Sequence, residues 1–227
     1  MLIDAIQINS YISNDCYSKC LNMLPQNERI YVQKYIRRDD RVRRLIGMLL
    51  IRKIASKKFQ TPMYDIEISR NIYGKPYFKT NLDTHFNISH SGMWVVCITS
   101  DKPVGIDIEQ ITPIDISMAD RFFTSSESSL LHSLTGNDQL KRFYELWTLK
   151  ESYVKAQGKG LHIRLNSFSV ELNQTHNVYI NAKRQPVNLQ LIDIHDRYVL
   201  ATCAYEIGKQ PKLRINILPN FLEEVFS

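Results

Sequence analysis

The chain has 227 residues and a formal net charge of +6, and 44% of its residues are hydrophobic against 23% charged. This composition indicates a globular protein and excludes a wholly disordered one, and the length allows one large domain or two small ones. The positive charge points to an anionic partner: nucleic acid, a membrane surface, a phosphorylated small molecule or an acidic protein.

Membrane insertion, secretion and zinc binding are all disfavoured by the sequence. No apolar run approaches the roughly 18 residues that a membrane-spanning helix needs. Asp4 stands where a signal peptide would carry basic residues, so we expect a cytoplasmic protein. Cys16 and Cys20 suit one helix face, but no second cysteine or histidine pair lies nearby to complete a zinc site. All four cysteines are therefore expected to be reduced thiols.

The first long helix is predicted within a basic segment, residues 29–58, which holds eleven lysines and arginines but only two acids. Apolar residues recur at helical spacing inside it and predict a helix over about 40–58 with one buried face. These residues are Val42, Leu45, Ile46, Leu49, Leu50 and Ile54. Most of the charges suit a solvated face, but the imbalance is larger than solubility alone requires.

A second long helix is predicted over 138–157, where Gly158 and Gly160 supply stop signals. The remaining apolar segments predict strands, the first of them a hairpin: 66–78, 94–99, 104–108, 168–172, 178–182 and 198–205. Each half of the chain then runs from a long helix through a hairpin to an apolar strand. This order indicates two similar α+β halves that join near residue 103.

Two carboxylates stand out in the segment Gly-Ile-Asp-Ile-Glu at 105–109. Residues two apart in a strand share a face, so Asp107 and Glu109 project together while Ile106 and Ile108 enter the core. Adjacent carboxylates repel unless they are solvated or bridged by a cation, and hard oxygen ligands suit Mg²⁺. An exposed strand face with ordinary acids is the alternative interpretation.

Two further segments carry polar groups at useful spacing. Glu151 and Lys155 lie four residues apart on the second helix, so both can face one site, although a surface ion pair would show the same spacing. The segment 87–92 reads as a polar turn with His90 at its tip, which could present hydroxyl, imidazole and backbone N–H groups to a phosphate. An ordinary hairpin turn remains the alternative.

Taken together, these segments resemble the Sfp-type 4′-phosphopantetheinyl transferase family. The matching motifs are Phe-Asn-Ile-Ser-His-Ser at 86–91, Gly-Ile-Asp-Ile-Glu at 105–109, Trp-Thr-Leu-Lys-Glu-Ser at 147–152 with Lys155 after it, and Tyr-Gly-Lys-Pro at 73–76. The resemblance implies an α+β (α/β) pseudo-dimer of two similar half-domains, 1–102 and 103–227. The active site would lie in the cleft between them.

The resemblance also implies an activity. The enzyme would move the 4′-phosphopantetheine arm of coenzyme A onto a serine of an apo carrier protein, with Mg²⁺, and release 3′,5′-ADP. We expect a monomer whose partners are coenzyme A and carrier proteins, and not nucleic acid or a membrane. Peptidyl, polyketide and fatty acid carriers are all open, so a role in antibiotic biosynthesis is one expectation among several.

Site residues follow from the same resemblance. Asp107, Glu109 and Glu151 would bind the metal, and Glu151 or a metal-bound water would act as general base. Lys155 and Lys150 would lie along the pyrophosphate. Glu127 would lie near the metal, although an acid at the start of a helix explains this residue equally well. Groups expected to catalyse the reaction are Glu151, Lys155, Asp107 and His90. Those expected to bind coenzyme A are Arg43, Arg44, Tyr73, Gly74, Lys75, Pro76, Ser89, His90, Lys150 and Lys155.

Two regions need separate expectations. Relatives carry lysines in the stretch before the basic helix, whereas the matching stretch of this chain reads Glu-Arg-Ile-Tyr at 28–31. We therefore expect Arg43 and Arg44 to take over part of the phosphate binding. The segment 110–134 is expected to help dock the carrier protein through exposed apolar residues such as Ile114 and Met118.

Two other functions fit parts of the pattern. A basic module that binds nucleic acid would fit the charge, but no recognisable nucleic-acid motif is present. A Mg²⁺-dependent pyrophosphate hydrolase would use the same carboxylates and need no carrier protein.

Overall fold

The computed structural model of the protein describes residues 1–172, 176–206 and 208–227, without the side chain of Leu161. Seven α-helices occur in this part of the chain: α1 Asn14–Asn22, α2 Gln26–Gln33, α3 Arg38–Phe59, α4 Ala119–Phe122, α5 Ser125–His132, α6 Gly136–Gln157 and α7 Leu218–Phe226. Its strands are β1 Leu2–Gln7, β2 Ile68–Arg70, β3 Pro76–Phe78, β4 His85–Ser91, β5 Trp94–Ser100, β6 Val104–Gln110, β7 Ser169–Glu171, β8 Asn177–Ile180, β9 Lys183–Arg184, β10 Asn188–Ile192, β11 Tyr198–Ala204 and β12 Lys212–Ile217.

The first sheet has the strand order β12-β1-β5-β4. Strand β1 pairs in parallel with β12 and antiparallel with β5. Helices α3 and α7 cover this sheet, and they bury residues such as Leu45, Leu49 and Phe221 in one core. The apolar spacing along α3 explains this placement, because its periodic face is the one that packs against the strands.

The second sheet has the order β10-β11-β6, and α6 lies across it. Leu146, Leu149 and Tyr153 of α6 are buried in the core of this half. Gly105 of β6 permits the close crossing, because a Cβ atom at this position would lie 2.0 Å from the carbonyl oxygen of Ser152. A glycine is therefore required where α6 crosses β6.

The two sheets meet where β4 of the first lies beside β6 of the second. Alternate side chains of β4 accept hydrogen bonds from alternate backbone N–H groups of β6, and we call this arrangement the β4–β6 seam. The donor and acceptor pairs are Ile106 N to Asn87 Oδ1 at 2.9 Å, Ile108 N to Ser89 Oγ at 3.4 Å, and Gln110 N to Ser91 Oγ at 3.0 Å. Side chains thus satisfy donors that the edge strand β6 would otherwise leave unpaired.

A shared apolar cluster also joins the two halves. It combines Ile3 and Ile98 of the first sheet with Ile106, Ile108 and Leu200 of the second. The cluster is buried, so the halves are held by hydrophobic contact on one side of the seam as well as by its hydrogen bonds.

The two helices predicted from apolar spacing are confirmed as α3 and α6, and Gly158 ends α6 in a left-handed conformation. The mixed α/β class is also confirmed. The polar turn predicted over 87–92 is misplaced: residues 87–91 belong to the regular strand β4, which pairs with β5 through Ser91, and the turn lies at Gly92 and Met93.

The C-terminal segment was expected in the half-domain 103–227, but it packs with the first half of the chain. Strand β12 and helix α7 complete the first sheet and its core, although both follow residue 211. The four cysteines are free thiols. No helix in the described ranges is long and apolar enough to span a bilayer.

Candidate functional site

A cavity of about 420 Å³ is lined by elements from both halves of the chain. Helix α3 and strand β4 form one wall, and β6 and α6 form the other. Trp147, Glu151 and Lys155 project into it from α6 at four-residue spacing, which places them on one helix face. A larger cavity of about 680 Å³ lies beside β1, α3 and α7, and none of the predicted site residues lines it.

Most predicted site residues do line the smaller cavity. They are Arg43, Arg44, Pro76, Ser89, His90, Asp107, Glu109, Glu151 and Lys155. The convergence of Asp107 and Glu109 follows from strand alternation, and that of Glu151 and Lys155 follows from helix periodicity. The fold therefore brings the two carboxylate-bearing motifs to one place.

Two serines of β4 hold the β6 carboxylates. The Ser89 hydroxyl donates to Asp107 Oδ1 at 2.9 Å, and the Ser91 hydroxyl donates to Glu109 Oε2 at 2.8 Å. Both hydroxyls also accept a backbone N–H in the β4–β6 seam. The seam that joins the halves is thus the same structure that orients the acidic groups.

The three carboxylates are crowded. Burial, together with the charge of Asp107, raises the pKa of Glu109 to about 7. The same two causes raise the pKa of Glu151 above its usual value. The Lys155 ammonium relieves part of the repulsion, since its Nζ lies 2.5 Å from Asp107 Oδ1 and 2.9 Å from Ser89 Oγ. A site with this excess of negative charge favours a further cation.

The donor set fits a hard divalent cation such as Mg²⁺. Asp107 Oδ2 is buried and has no hydrogen-bond partner among the residues that the structure describes, so one carboxylate oxygen is left for another ligand. Carboxylate oxygens are the ligands that Mg²⁺ takes in proteins. As the side chains stand, however, no three His, Cys, Asp or Glu groups among the described residues form a cluster close enough to hold a metal ion.

The opposite side of the cavity is basic. The Arg43 guanidinium donates to the Gly92 carbonyl at 2.8 Å and pairs with Asp40 at 2.7 Å. The Arg44 guanidinium lies 4.8 Å from the centroid of the Tyr35 ring, and its buried Nε has no hydrogen-bond partner in the described part of the chain. Burial and the nearby arginines lower the pKa of His90 to about 4, so its imidazole is neutral at physiological pH.

Arg70 is a cavity residue that the sequence analysis missed. Its guanidinium lies 4.4 Å from the centroid of the Tyr31 ring, and it lines the cavity together with Arg44. Tyr31 belongs to the stretch 28–31, where lysines were expected from the resemblance. Glu28 of the same stretch is buried in a pair with Arg52 at 2.7 Å. The available signal for Arg70 is a basic residue inside the hairpin predicted over 66–78, next to the Tyr-Gly-Lys-Pro motif at 73–76.

Lys75 lies beside the cavity with its ammonium turned toward the end of α6. Its Nζ donates to the carbonyls of Val104, Lys155 and Ala156 at 3.0, 2.6 and 3.1 Å. Burial lowers its pKa to about 8. The preceding Tyr73 packs against the His162 ring at 4.9 Å. Of the predicted segment 73–76, only Pro76 is in the cavity lining among the residues described.

Two other predicted residues, Lys150 and Glu127, lie outside the cavity lining. Lys150 is fully buried, and its Nζ binds Glu127 Oε2 at 2.8 Å and the carbonyls of Leu165 and Phe168 at 2.9 and 2.6 Å. It lies in the core of the second half, away from the cavity lining. Glu127 is correspondingly absent from the carboxylate cluster, because both its oxygens are engaged by Lys150, Thr124 and the Val170 N–H.

The segment predicted to dock a partner reaches the cavity through aromatic contacts. Phe122 packs against Trp147 with ring centroids 5.4 Å apart, and Trp147 lines the cavity. Met118 is 42% exposed, whereas Ile114 is partly buried against the core of the second half. Met118 is therefore the more accessible of the two predicted contact residues.

Comparison with known protein families matches each half of the chain to a model of 4′-phosphopantetheinyl transferases. The family model described as 4′-phosphopantetheinyl transferase superfamily matches residues 103–203. A second model, described as 4′-phosphopantetheinyl transferase, N-terminal, matches residues 12–102.

Three bacterial relatives are similar over most of their length. The chain is 41% identical to the 4′-phosphopantetheinyl transferase gsp of Aneurinibacillus migulanus, covering 91% of this chain and 88% of the relative. It is 36% identical to Sfp of Bacillus subtilis strain 168, with 90% and 92% covered, and 34% identical to ffp of Bacillus subtilis, with the same coverage. The chain belongs to the 4′-phosphopantetheinyl transferase family.

Proposed function

We propose that this transferase moves the 4′-phosphopantetheine arm of coenzyme A onto a serine of an apo carrier protein, requires Mg²⁺, and releases 3′,5′-ADP. One observation carries the proposal: the cavity between α3, β4, β6 and α6 holds three carboxylates on one side and arginine groups on the other. A pyrophosphate ester with a further phosphate needs both a cation site and basic groups at separate points.

The reaction is a displacement at the β-phosphorus of coenzyme A. The carrier serine oxygen forms a new P–O bond, the bond to the α-phosphate oxygen breaks, and the serine proton is accepted by a base. Such a reaction depends on positioning and charge neutralisation more than on covalent catalysis. Asp107, Glu109 and Glu151 would hold Mg²⁺, which supplies positive charge to the pyrophosphate oxygens when it is bound.

The chain's own residues have separate tasks in this proposal. Lys155 neutralises charge on the leaving phosphate, as its ammonium already lies at the carboxylate cluster. Glu151 is the candidate acceptor of the serine proton, directly or through a water, because its carboxylate lines the cavity together with Asp107 and Glu109. The neutral His90 would donate a hydrogen bond to a phosphate, and Ser89 would lie beside the phosphates while its hydroxyl holds Asp107.

Arg44 and Arg70 are the proposed contacts for the 3′-phosphate of coenzyme A. Both line the cavity, and the aromatic rings of Tyr31 and Tyr35 hold their guanidinium planes. The unpartnered Nε of Arg44 leaves a donor for an anion. We propose that the carrier protein docks beside Met118 and Trp147, and that one copy of the chain suffices, since one chain supplies all these groups.

The experiment incubates the protein with coenzyme A, Mg²⁺ and an apo carrier protein. Intact-mass spectrometry should detect the added arm, and chromatography should detect equal amounts of 3′,5′-ADP. Chelation of the metal, Asp107→Ala and Glu151→Ala should each abolish transfer, while Asp193→Ala, an exposed acid outside the cavity, should not. Robust transfer by both site variants would refute the metal assignment. Release of free 4′-phosphopantetheine without a carrier would instead indicate a pyrophosphate hydrolase.

A further inference from the structure

We propose that Ser91 is a positioning residue for Glu109: its hydroxyl fixes the Glu109 carboxylate against the β4–β6 seam so that the carboxylate can bind the divalent cation. This inference rests on the proposed function, because it assigns Glu109 to the metal. It concerns a residue of β4 that does not itself line the cavity and, in the proposal, does not contact coenzyme A.

The Ser91 hydroxyl has its direction set by two bonds. Its oxygen accepts the backbone N–H of Gln110 at 3.0 Å, and it donates to Glu109 Oε2 at 2.8 Å. A hydroxyl has one hydrogen to donate, so the bond from Gln110 leaves that hydrogen for the carboxylate. The Ser91 hydroxyl on β4 therefore links the carboxylate of Glu109 to the backbone of Gln110, the next residue of β6.

The Glu109 carboxylate depends more on its hydrogen bond from Ser91 than the Asp107 carboxylate depends on its hydrogen bond from Ser89. Asp107 receives hydrogen bonds from both Ser89 and Lys155. Within the described ranges, the Ser91 hydroxyl is the one hydrogen-bond donor to Glu109. Glutamate also has one more rotatable bond than aspartate, so an unanchored carboxylate loses more conformational entropy when it binds a ligand. Groups that orient a metal ligand contribute to metal affinity for this reason.

Ser91 can be tested separately from substrate binding. Ser89 occupies the equivalent position at Asp107, but it also bonds Lys155 and lines the cavity, so its loss would disturb several contacts. Ser100 provides a matched control, since it is a buried serine of the adjacent strand β5 that accepts one backbone N–H, from Lys102 at 3.3 Å. Within residues 1–172, 176–206 and 208–227, no carboxylate is hydrogen-bonded to the Ser100 hydroxyl.

The test measures Mn²⁺ binding by the electron paramagnetic resonance of the free ion, with and without coenzyme A. Mn²⁺ takes the same carboxylate ligands as Mg²⁺. We expect Ser91→Ala to bind Mn²⁺ about tenfold more weakly than wild type, the usual scale for removing a group that orients a metal ligand. Ser91→Thr, which keeps the hydroxyl, and Ser100→Ala should bind as wild type does.

Other outcomes would overturn the inference. If Ser91→Ala binds Mn²⁺ with wild-type affinity, the hydroxyl does not position Glu109. If Ser100→Ala weakens Mn²⁺ binding equally, the effect comes from a general loss of protein stability and not from the bond to Glu109. If Ser91→Ala does not fold, Ser91→Cys keeps the volume with a weak donor and should weaken binding in the same direction. Arm transfer by wild type with normal Mn²⁺ binding by Ser91→Ala would reject this inference alone, whereas a wild type that binds no Mn²⁺ would reject the metal assignment as well.

Discussion

Lys150 and Glu127 form an ion pair at 2.8 Å whose side chains are 0% and 5% exposed. The pair joins α6 to α5, and two carbonyl groups complete the surroundings of the ammonium. Glu127 also closes a capping box at the start of α5 with Thr124. The conspicuous lysine of the motif at 147–152 is therefore a group that supports the fold of the second half.

Replacing this lysine should reduce stability, not substrate affinity. Lys150→Met leaves Glu127 buried without its cation, so we expect the free energy of unfolding to fall by about 3–5 kcal/mol, as measured by urea denaturation. The double variant Lys150→Met/Glu127→Gln should recover part of the loss, because the glutamine carries no charge. A stable Lys150→Met with a raised KM for coenzyme A would contradict the structural role.

Arg44 and Arg70 should determine affinity for the 3′-phosphate. We expect Arg44→Ala and Arg70→Ala each to raise the KM for coenzyme A on the order of tenfold, the scale of one lost charge-assisted hydrogen bond. Neither substitution should change the KM for dephospho-coenzyme A, which lacks that phosphate. Lys57→Ala, a basic residue of α3 outside this cavity, is the matched control. Equal effects on the two substrates would remove these arginines from the 3′-phosphate site.

His90 should show an unusual titration. Its pKa of about 4 means that the unfolded chain binds the proton first as the pH falls, so the contribution of His90 to stability is lost between about pH 6.5 and 4. Bound 3′,5′-ADP should raise the pKa of His90, because phosphate charge offsets that of Arg44 and Arg43. The measurement is an NMR titration of the histidine ring signals, assigned with His90→Gln. A pKa near 6.5 in the free protein would be inconsistent with the buried position.

Met118 should matter for the carrier protein and not for coenzyme A. A charge at this exposed residue should raise the KM for the apo carrier several-fold, as expected when an apolar contact is lost from an interface. The KM for coenzyme A should stay unchanged in Met118→Glu. Leu82→Glu alters a residue that is equally apolar, 65% exposed and in the other half, and serves as the control. Unchanged carrier kinetics in Met118→Glu would place the docking surface elsewhere.

The local periodicity of strands and helices was sufficient to predict which residues meet in much of the site. Alternation in β6 predicts that Asp107 and Glu109 share a face, and four-residue spacing on α6 brings Glu151 and Lys155 together. The same geometry argues against Lys150, which is five residues from Lys155 and so roughly 140° away around the helix. The family motif carries no information about which side chain faces which neighbour, and this is why Lys150 was misplaced.

Other features could not be read from local pattern. The segment 87–92 contains polar residues because the β4–β6 seam needs side-chain acceptors, so a strand looked like a turn. The cation–π contacts of Arg70 depend on Tyr31, which lies on another element. Strand β12 pairs with β1 across almost the whole chain, and no short-range signal marks such a partner.

The pairing of β1 with β12 has a consequence for how the protein is made. Leu2 is opposite Lys212, so the first sheet cannot be completed until nearly all of the chain has been synthesised. Contacts of such large sequence separation are formed late and at a high loop-closure cost. In a ribosome-bound chain the second half could fold while the edge of β1 that pairs with β12 is still unpaired. Translation that stops before residue 212 should therefore yield an aggregation-prone fragment instead of a smaller working domain.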